Sequence, residues 1–125
     1  MKTARILIDI ETGFDDDSAH TERIVLKACT DAVVTKTHFL LPTLNTINLQ
    51  LQHFSTCHYV IVVNRESAAT VDVSVNSSTS PNATTTQTLS AGQIGIFGDV
   101  ECENDSAALI ASAAADVDVY IIGSY

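Results

Sequence analysis

Apolar and polar positions alternate with a period of two along most of this chain, the pattern of strands with one buried face. Ile6, Ile8 and Ile10 alternate with Leu7 and Asp9, and Ile24 and Leu26 with Arg23, Val25 and Lys27. A run from Ala32 to Leu41 follows. Ile47, Leu49 and Leu51 point one way, while Asn48, Gln50 and Gln52 point the other. His58 to Val63 is almost continuously apolar and predicts a strand covered on both sides. Val71, Val73 and Val75 oppose Asp72, Ser74 and Asn76, and Val117, Val119 and Ile121 oppose Asp116, Asp118 and Tyr120. The predicted core is Leu49, Leu51, Ile61, Val71, Val73, Val75, Val119 and Ile121.

Turn chemistry divides these runs. Asn64-Arg65-Glu66-Ser67 leaves a hairpin-sized gap between two strong strands. Ser77 to Thr86, with Pro81 and Asn82, reads as an exposed loop. Ser90-Ala91-Gly92-Gln93 is a turn in which Gly92 is free to take positive φ. Gly95 and Gly98 flank Ile96-Phe97 and predict a bulge or a close backbone approach. Two segments have helical potential, 18–28 and 106–115. Ile24 and Val25 interrupt the first, and the second reads better as a short strand, 108–111, followed by a turn of small residues. The fold class is therefore all-β: an antiparallel β-sandwich or jelly roll with an extended N-terminal arm. One domain over residues 1–125 is expected, with 1–30 as the arm or edge extension.

Composition strengthens this reading. The chain holds 12 Val, 11 Ile and 15 Thr, whose branching at Cβ suits a pleated surface. Its 15 acidic residues against 6 basic ones give a net charge of −9. That balance argues against a binder of the phosphate backbone, and no Lys/Arg cluster meets anionic lipid, so neither a nucleic-acid nor a membrane partner is expected. No stretch approaches the roughly 18 apolar residues of a membrane helix. Cys29, Cys57 and Cys102 lack metal-binding spacing and read as buried free thiols. Asn76, Asn82 and Asn104 stand in Asn-x-Ser/Thr triplets, read as polar turns.

Candidate chemistry is sparse. Ile6-Leu7-Ile8-Asp9-Ile10-Glu11-Thr12 resembles the first motif of the DnaQ-type 3′–5′ exonucleases, in which two carboxylates help hold metal ions for phosphoryl hydrolysis. A metal-dependent nuclease built on Asp9 and Glu11 is thus a minor alternative. The later His and Asp motifs of that family have no match here, and the βαβ alternation of its frame is missing. Asp15-Asp16-Asp17 and the alternating Asp99, Glu101, Glu103 and Asp105 are oxygen-rich and are the weak candidates for a hard cation; a solvated acidic edge is the plainer reading. His20, His38, His53 and His58 show no metal spacing, and a Cys57/His58 dyad lacks a supporting acid. No catalytic residue and no cofactor is expected.

The order Tyr59-Val60-Ile61-Val62-Val63-Asn64-Arg65, then Thr70 to Val75, then Leu89-Ser90-Ala91-Gly92-Gln93-Ile94-Gly95-Ile96-Phe97, closing with Val117 to Gly123, resembles small β-sandwich virion proteins of tailed bacteriophages, of the capsid decoration (cement) or head–tail accessory type. The resemblance covers roughly Ile47 to Tyr125. It implies a non-enzymatic virion structural protein, made in the host cytoplasm, that docks on a capsid or tail protein and forms a homo-oligomer. A ligand- or carbohydrate-binding β-sandwich is the alternative, weakened by the absence of Trp. Association of so acidic a chain must use apolar surface, and Ile6, Ile8 and Ile10 of the arm are the expected interface. The arm would add as an edge strand to a neighbour's sheet; the other course is pairing within its own chain.

Overall fold

The computed structural model describes residues 3–12, 20–79, 83–103 and 105–125. All regular structure among them is strand: β1 (Thr3–Ala4), β2 (Leu7–Thr12), β3 (His20–Val25), β4 (Cys29–Thr30), β5 (Val33–Leu41), β6 (Ile47–Asn48), β7 (Thr56–Asn64), β8 (Val71–Asn76), β9 (Thr84–Leu89), β10 (Ile94–Val100), β11 (Ala107–Ala111) and β12 (Ala115–Ser124). Segment 18–28 contributes β3 rather than a helix, in keeping with its β-branched residues.

Strands β5 to β12 form two four-stranded antiparallel sheets, in the orders β10-β7-β12-β5 and β6-β11-β8-β9. The chain passes from one sheet to the other at every connection except β8–β9, which gives an eight-stranded jelly roll. The core lies between the sheets. Val60 and Val62 of β7 and Val117, Val119 and Ile121 of β12 face Val71, Val73 and Val75 of β8 and Leu109 of β11. Leu49 and Leu51 are buried although β6 itself is only two residues long.

Three expectations need correction. Ile61 is not a core residue: β7 buries Val60 and Val62 in the interior, and Ile61, between them, points out. The 64–67 gap is not a hairpin, because β7 and β8 belong to different sheets and segment 65–70 carries the chain across. The 77–86 loop is shorter than expected, because Thr84, Thr85 and Thr86 enter β9 opposite Asn76, Val75 and Ser74. Hydroxyls account for the last point. Thr84 Oγ1 donates to Asn76 Oδ1 at 2.7 Å, and the Ser74 and Thr86 hydroxyls meet at 2.9 Å.

Other turn expectations hold. Gly92 takes φ 76° in the β9–β10 turn. Gly95 is a close approach, since a Cβ there would lie 3.0 Å from the Phe97 ring. The β7–β12 register shifts between Ile122 and Gly123, and a Cβ on Gly123 would stand 2.7 Å from Phe54 Cδ1 and 2.9 Å from the Thr56 carbonyl. Only glycine fits.

Candidate interaction surface

The N-terminal arm is a folded appendage with a seated base. β1 pairs with β4, Thr3 opposite Thr30 and Ala4 opposite Cys29. Ala4 and Ile6 then pack with Cys29 and Ala32 against Ile122 and Tyr59 of the body. Beyond this base, Leu26 N–H donates to the Ile6 carbonyl at 3.0 Å, and β2 runs antiparallel to β3. The arm strand therefore pairs within its own chain. Of the expected interface residues, Ile6 belongs to the base, Ile8 sits opposite Ile24, and Ile10 sits opposite Glu22 and is 45% exposed. Ile8, Ile24 and Ile10 share one face of the hairpin. Asp9, Arg23 and Glu11 share the other.

On that second face Asp9 and Glu11 stand together, as in the exonuclease motif, but a cation already occupies Asp9. Asp9 accepts two bonds from Arg23, Nε at 2.7 Å and Nη2 at 3.1 Å, and this cation holds its carboxyl below the usual carboxylate range. The pair is exposed and contributes little to stability. Glu11 stands opposite Thr21. Asp99 has φ 50° and β10 ends at Val100, so Asp99, Glu101, Glu103 and Asp105 do not continue along one strand face. Their backbone is tied to neighbouring chain instead: Ser78 N–H donates to Asp99 O at 2.8 Å and Glu101 N–H to Asn76 O at 2.9 Å. Asp15, Asp16 and Asp17 lie outside the described residues, and among those described no three His, Cys, Asp or Glu side chains converge in a way that could hold a metal ion. Cys57 points into the core while His58 turns the opposite way to meet Ser124 Oγ at 3.1 Å, so the two form no dyad.

Sequence reasoning missed the outer face of the β10-β7-β12-β5 sheet. With Val117, Val119 and Ile121 turned inward, Asp118, Tyr120 and Ile122 must point out. Register then gives three cross-strand rows: His38, Asp118, Val63 and Ile94; Lys36, Tyr120, Ile61 and Ile96; Val34, Ile122, Tyr59 and Gly98. Ile94 is 56% exposed and Val34 53%. The arm base packs on the Ile122–Tyr59 end; beyond it Asp118 and Val63 are buried, Tyr120 and Ile61 half-buried, and Ile94 and Ile96 exposed. The available signal was the apolar run His58 to Val63: a strand that is apolar on both faces must bury its second face against something.

At the margin of this face the Asp118 carboxylate accepts from His38 Nδ1 at 2.7 Å and from Arg65 Nε at 2.9 Å. These bonds, His38 first and Arg65 next, hold its carboxyl below the ordinary 3.8. Lys36 Nζ lies 5.6 Å from the Tyr120 ring centre. Each charge has a neighbour of opposite sign or an aromatic ring, and the cluster offers no free nucleophile or unpaired acid. A crevice of about 330 Å³ opens between β5 and segment 48–53, lined by Phe39, Leu49, Val119, Ile121, Thr37 and His53 among others. His53 is its sole titratable lining residue, so it holds no acid–base pair.

No protein-family model matches the chain, and no curated protein matches it. Among solved structures, a chain of the Bacillus endospore appendages, described as a novel family of disulfide-linked pili, is similar at 13% identity and TM-score 0.47, over 79% of this chain and 96% of that one.

Proposed function

We propose that this chain is a non-enzymatic structural subunit that works by assembling with further copies and docking on a larger virion structure, as a capsid decoration or head–tail accessory module. The observation that carries this reading is the arm: a two-stranded hairpin with Ile10 and Ile24 exposed on its apolar face and Leu7 and Val25 exposed on the other. A lone hairpin is marginal in water and gains stability when its apolar face is covered. Among the described residues its extensive contacts are between its own two strands, which leaves these side chains free to meet another surface.

Two further features support the proposal. The jelly roll recurs in viral capsid domains, though by fold analogy alone, since lectins and cupins share it. Among the described residues no three His, Cys, Asp or Glu side chains converge to hold a metal ion, and Cys57 and His58 point to opposite sides of β7. Light scattering and negative-stain imaging of the full chain test the structural role, with defined oligomers expected and a monomer at all concentrations contradicting it. Immunodetection in purified virions tests the location, and signal confined to the soluble cell fraction would remove the virion assignment.

A further inference from the structure

Eight of the ten exposed large apolar side chains among the described residues fall into two groups, and Leu44 and Tyr125 stand apart from both. Leu7, Ile10, Ile24 and Val25 stand on the β2–β3 hairpin, and Val34, Leu40, Ile94 and Ile96 stand on the outer face of the β10-β7-β12-β5 sheet. Single exposed apolar residues are ordinary, but Ile94 and Ile96 stand on the same face of β10 and border the outward Ile61 of β7, while Val34 and Leu40 lie on β5 at the opposite edge. We propose that this outer face receives the β2–β3 hairpin of a second copy of the chain, an inference that rests on the self-assembling reading above.

Continuity is the first argument. The face already takes extended apolar chain, because Ala4, Ile6 and Cys29 of the arm base sit against its Ile122 and Tyr59. The neighbouring row, through the half-buried Tyr120 and Ile61 to the exposed Ile96, and the exposed Ile94 beside it continue that same surface. A hairpin laid over them buries Ile8, Ile10 and Ile24 against Ile61, Ile94 and Ile96, sheet on sheet, as in a sandwich core.

Charge is the second argument. Lys36 and Arg65 are the only Lys or Arg after residue 30, and residues 66–125 contain none. Both sit on or beside this face, where Arg65 and His38 neutralise Asp118. The rest of the body is acidic, so this is the surface where two copies of a −9 chain approach with least repulsion. Glu22, on the apolar side of the hairpin, finds a cation there and not elsewhere on the body.

Donor and receiver are different surfaces, so the contact is heterologous. It propagates head to tail into a ring if the rotation closes and into a filament if it does not.

Two double variants of the full chain test the proposal: Ile94→Glu with Ile96→Glu spoils the receiving face, and Ile10→Glu with Ile24→Glu spoils the hairpin. All four positions are exposed, and an unchanged β-type circular dichroism spectrum confirms that the body folds. Each variant alone should lose self-association at least tenfold. An equimolar mixture should recover a species of two chains, since one intact hairpin then meets one intact face. If the face variant still assembles, hairpins pair with each other; if the hairpin variant still assembles, faces do; if both are monomers and the mixture stays monomeric, the two surfaces do not meet. Each of these overturns the inference while leaving the self-assembling reading in place. A wild-type chain that never assembles overturns both.

Discussion

The side-chain amide of Asn64, at the end of β7, donates to the main-chain carbonyl of Leu89 at 3.1 Å and so ties one sheet of the jelly roll to the other. The same nitrogen lies 2.9 Å from the Ala69 carbonyl and 3.2 Å from that of Ser90, and its Oδ1 accepts from Glu66 N–H at 3.0 Å. Asn64 is fully buried and pins the crossing segment 65–70 and the β9–β10 turn at once. Asn64→Ala should cost about 3 kcal/mol, because buried carbonyls lose their donor. Asn64→Asp should cost more, since a carboxylate would face those carbonyls with no hydrogen to give. Urea unfolding of both variants checks the order, and an Asp variant as stable as wild type would contradict it.

Gly123 makes a second, steric prediction. Gly123→Ala sets a methyl group against Phe54 and the Thr56 carbonyl, one of them rigid backbone, and should lower stability by about 2 kcal/mol. Gly92→Ala meets open space but a strained φ, and should cost about 1 kcal/mol. Thermal melts of the pair measure the difference.

How far the sequence disclosed this arrangement depends on what alternation encodes. A period of two marks which side chains share a face, so Val71, Val73 and Val75, Val117, Val119 and Ile121, and Leu49 and Leu51 were legible as core. It does not say which sheet a strand joins, which is why the 64–67 gap looked like a hairpin. Where both faces of a strand are apolar, parity is lost as well, and Ile61 could be exchanged for Val60 and Val62. The arm hairpin was half visible, as the Ile6, Ile8, Ile10 stripe without its partner strand. Of the outer sheet face only the β7 share was legible, in the doubly apolar run His58 to Val63, because the rest is assembled from β5, β10 and β12, segments distant in the chain.

Cys57 makes a reactivity prediction. Burial, helped by the neighbouring Cys102 thiol, pushes the Cys57 thiol up to about 12. At pH 8 it is protonated, and a disulfide reagent should leave it unmodified in the native chain while labelling it readily in denaturant. Mass spectrometry of the labelled peptides reads this out. Native labelling of Cys57 at the rate of a free thiol would show that the start of β7 opens.

Acid stability follows from Asp118. Its folded pKa lies below the ordinary 3.8, so its contribution is present above that value and is lost as pH falls through the folded pKa. The ionised carboxylate only accepts, which makes His38 Nδ1–H and Arg65 the donors. Asp118→Asn should lower stability at neutral pH and flatten the fall in melting temperature below about pH 4. An unaltered acid limb would mean that the cluster contributes nothing to folding.

The central claim is that apolar surface, and not charge attraction, joins copies of this acidic chain. Light scattering on the full-length protein across ionic strength tests it most directly. Raising salt from about 0.01 M to about 0.15 M shortens the screening length from about 30 Å to about 8 Å and suppresses repulsion between chains of charge −9. The predicted result is a mass above the 13.3 kDa of one chain that increases with salt. A mass of 13.3 kDa at every salt concentration, or oligomers that dissolve as salt is added, would contradict it.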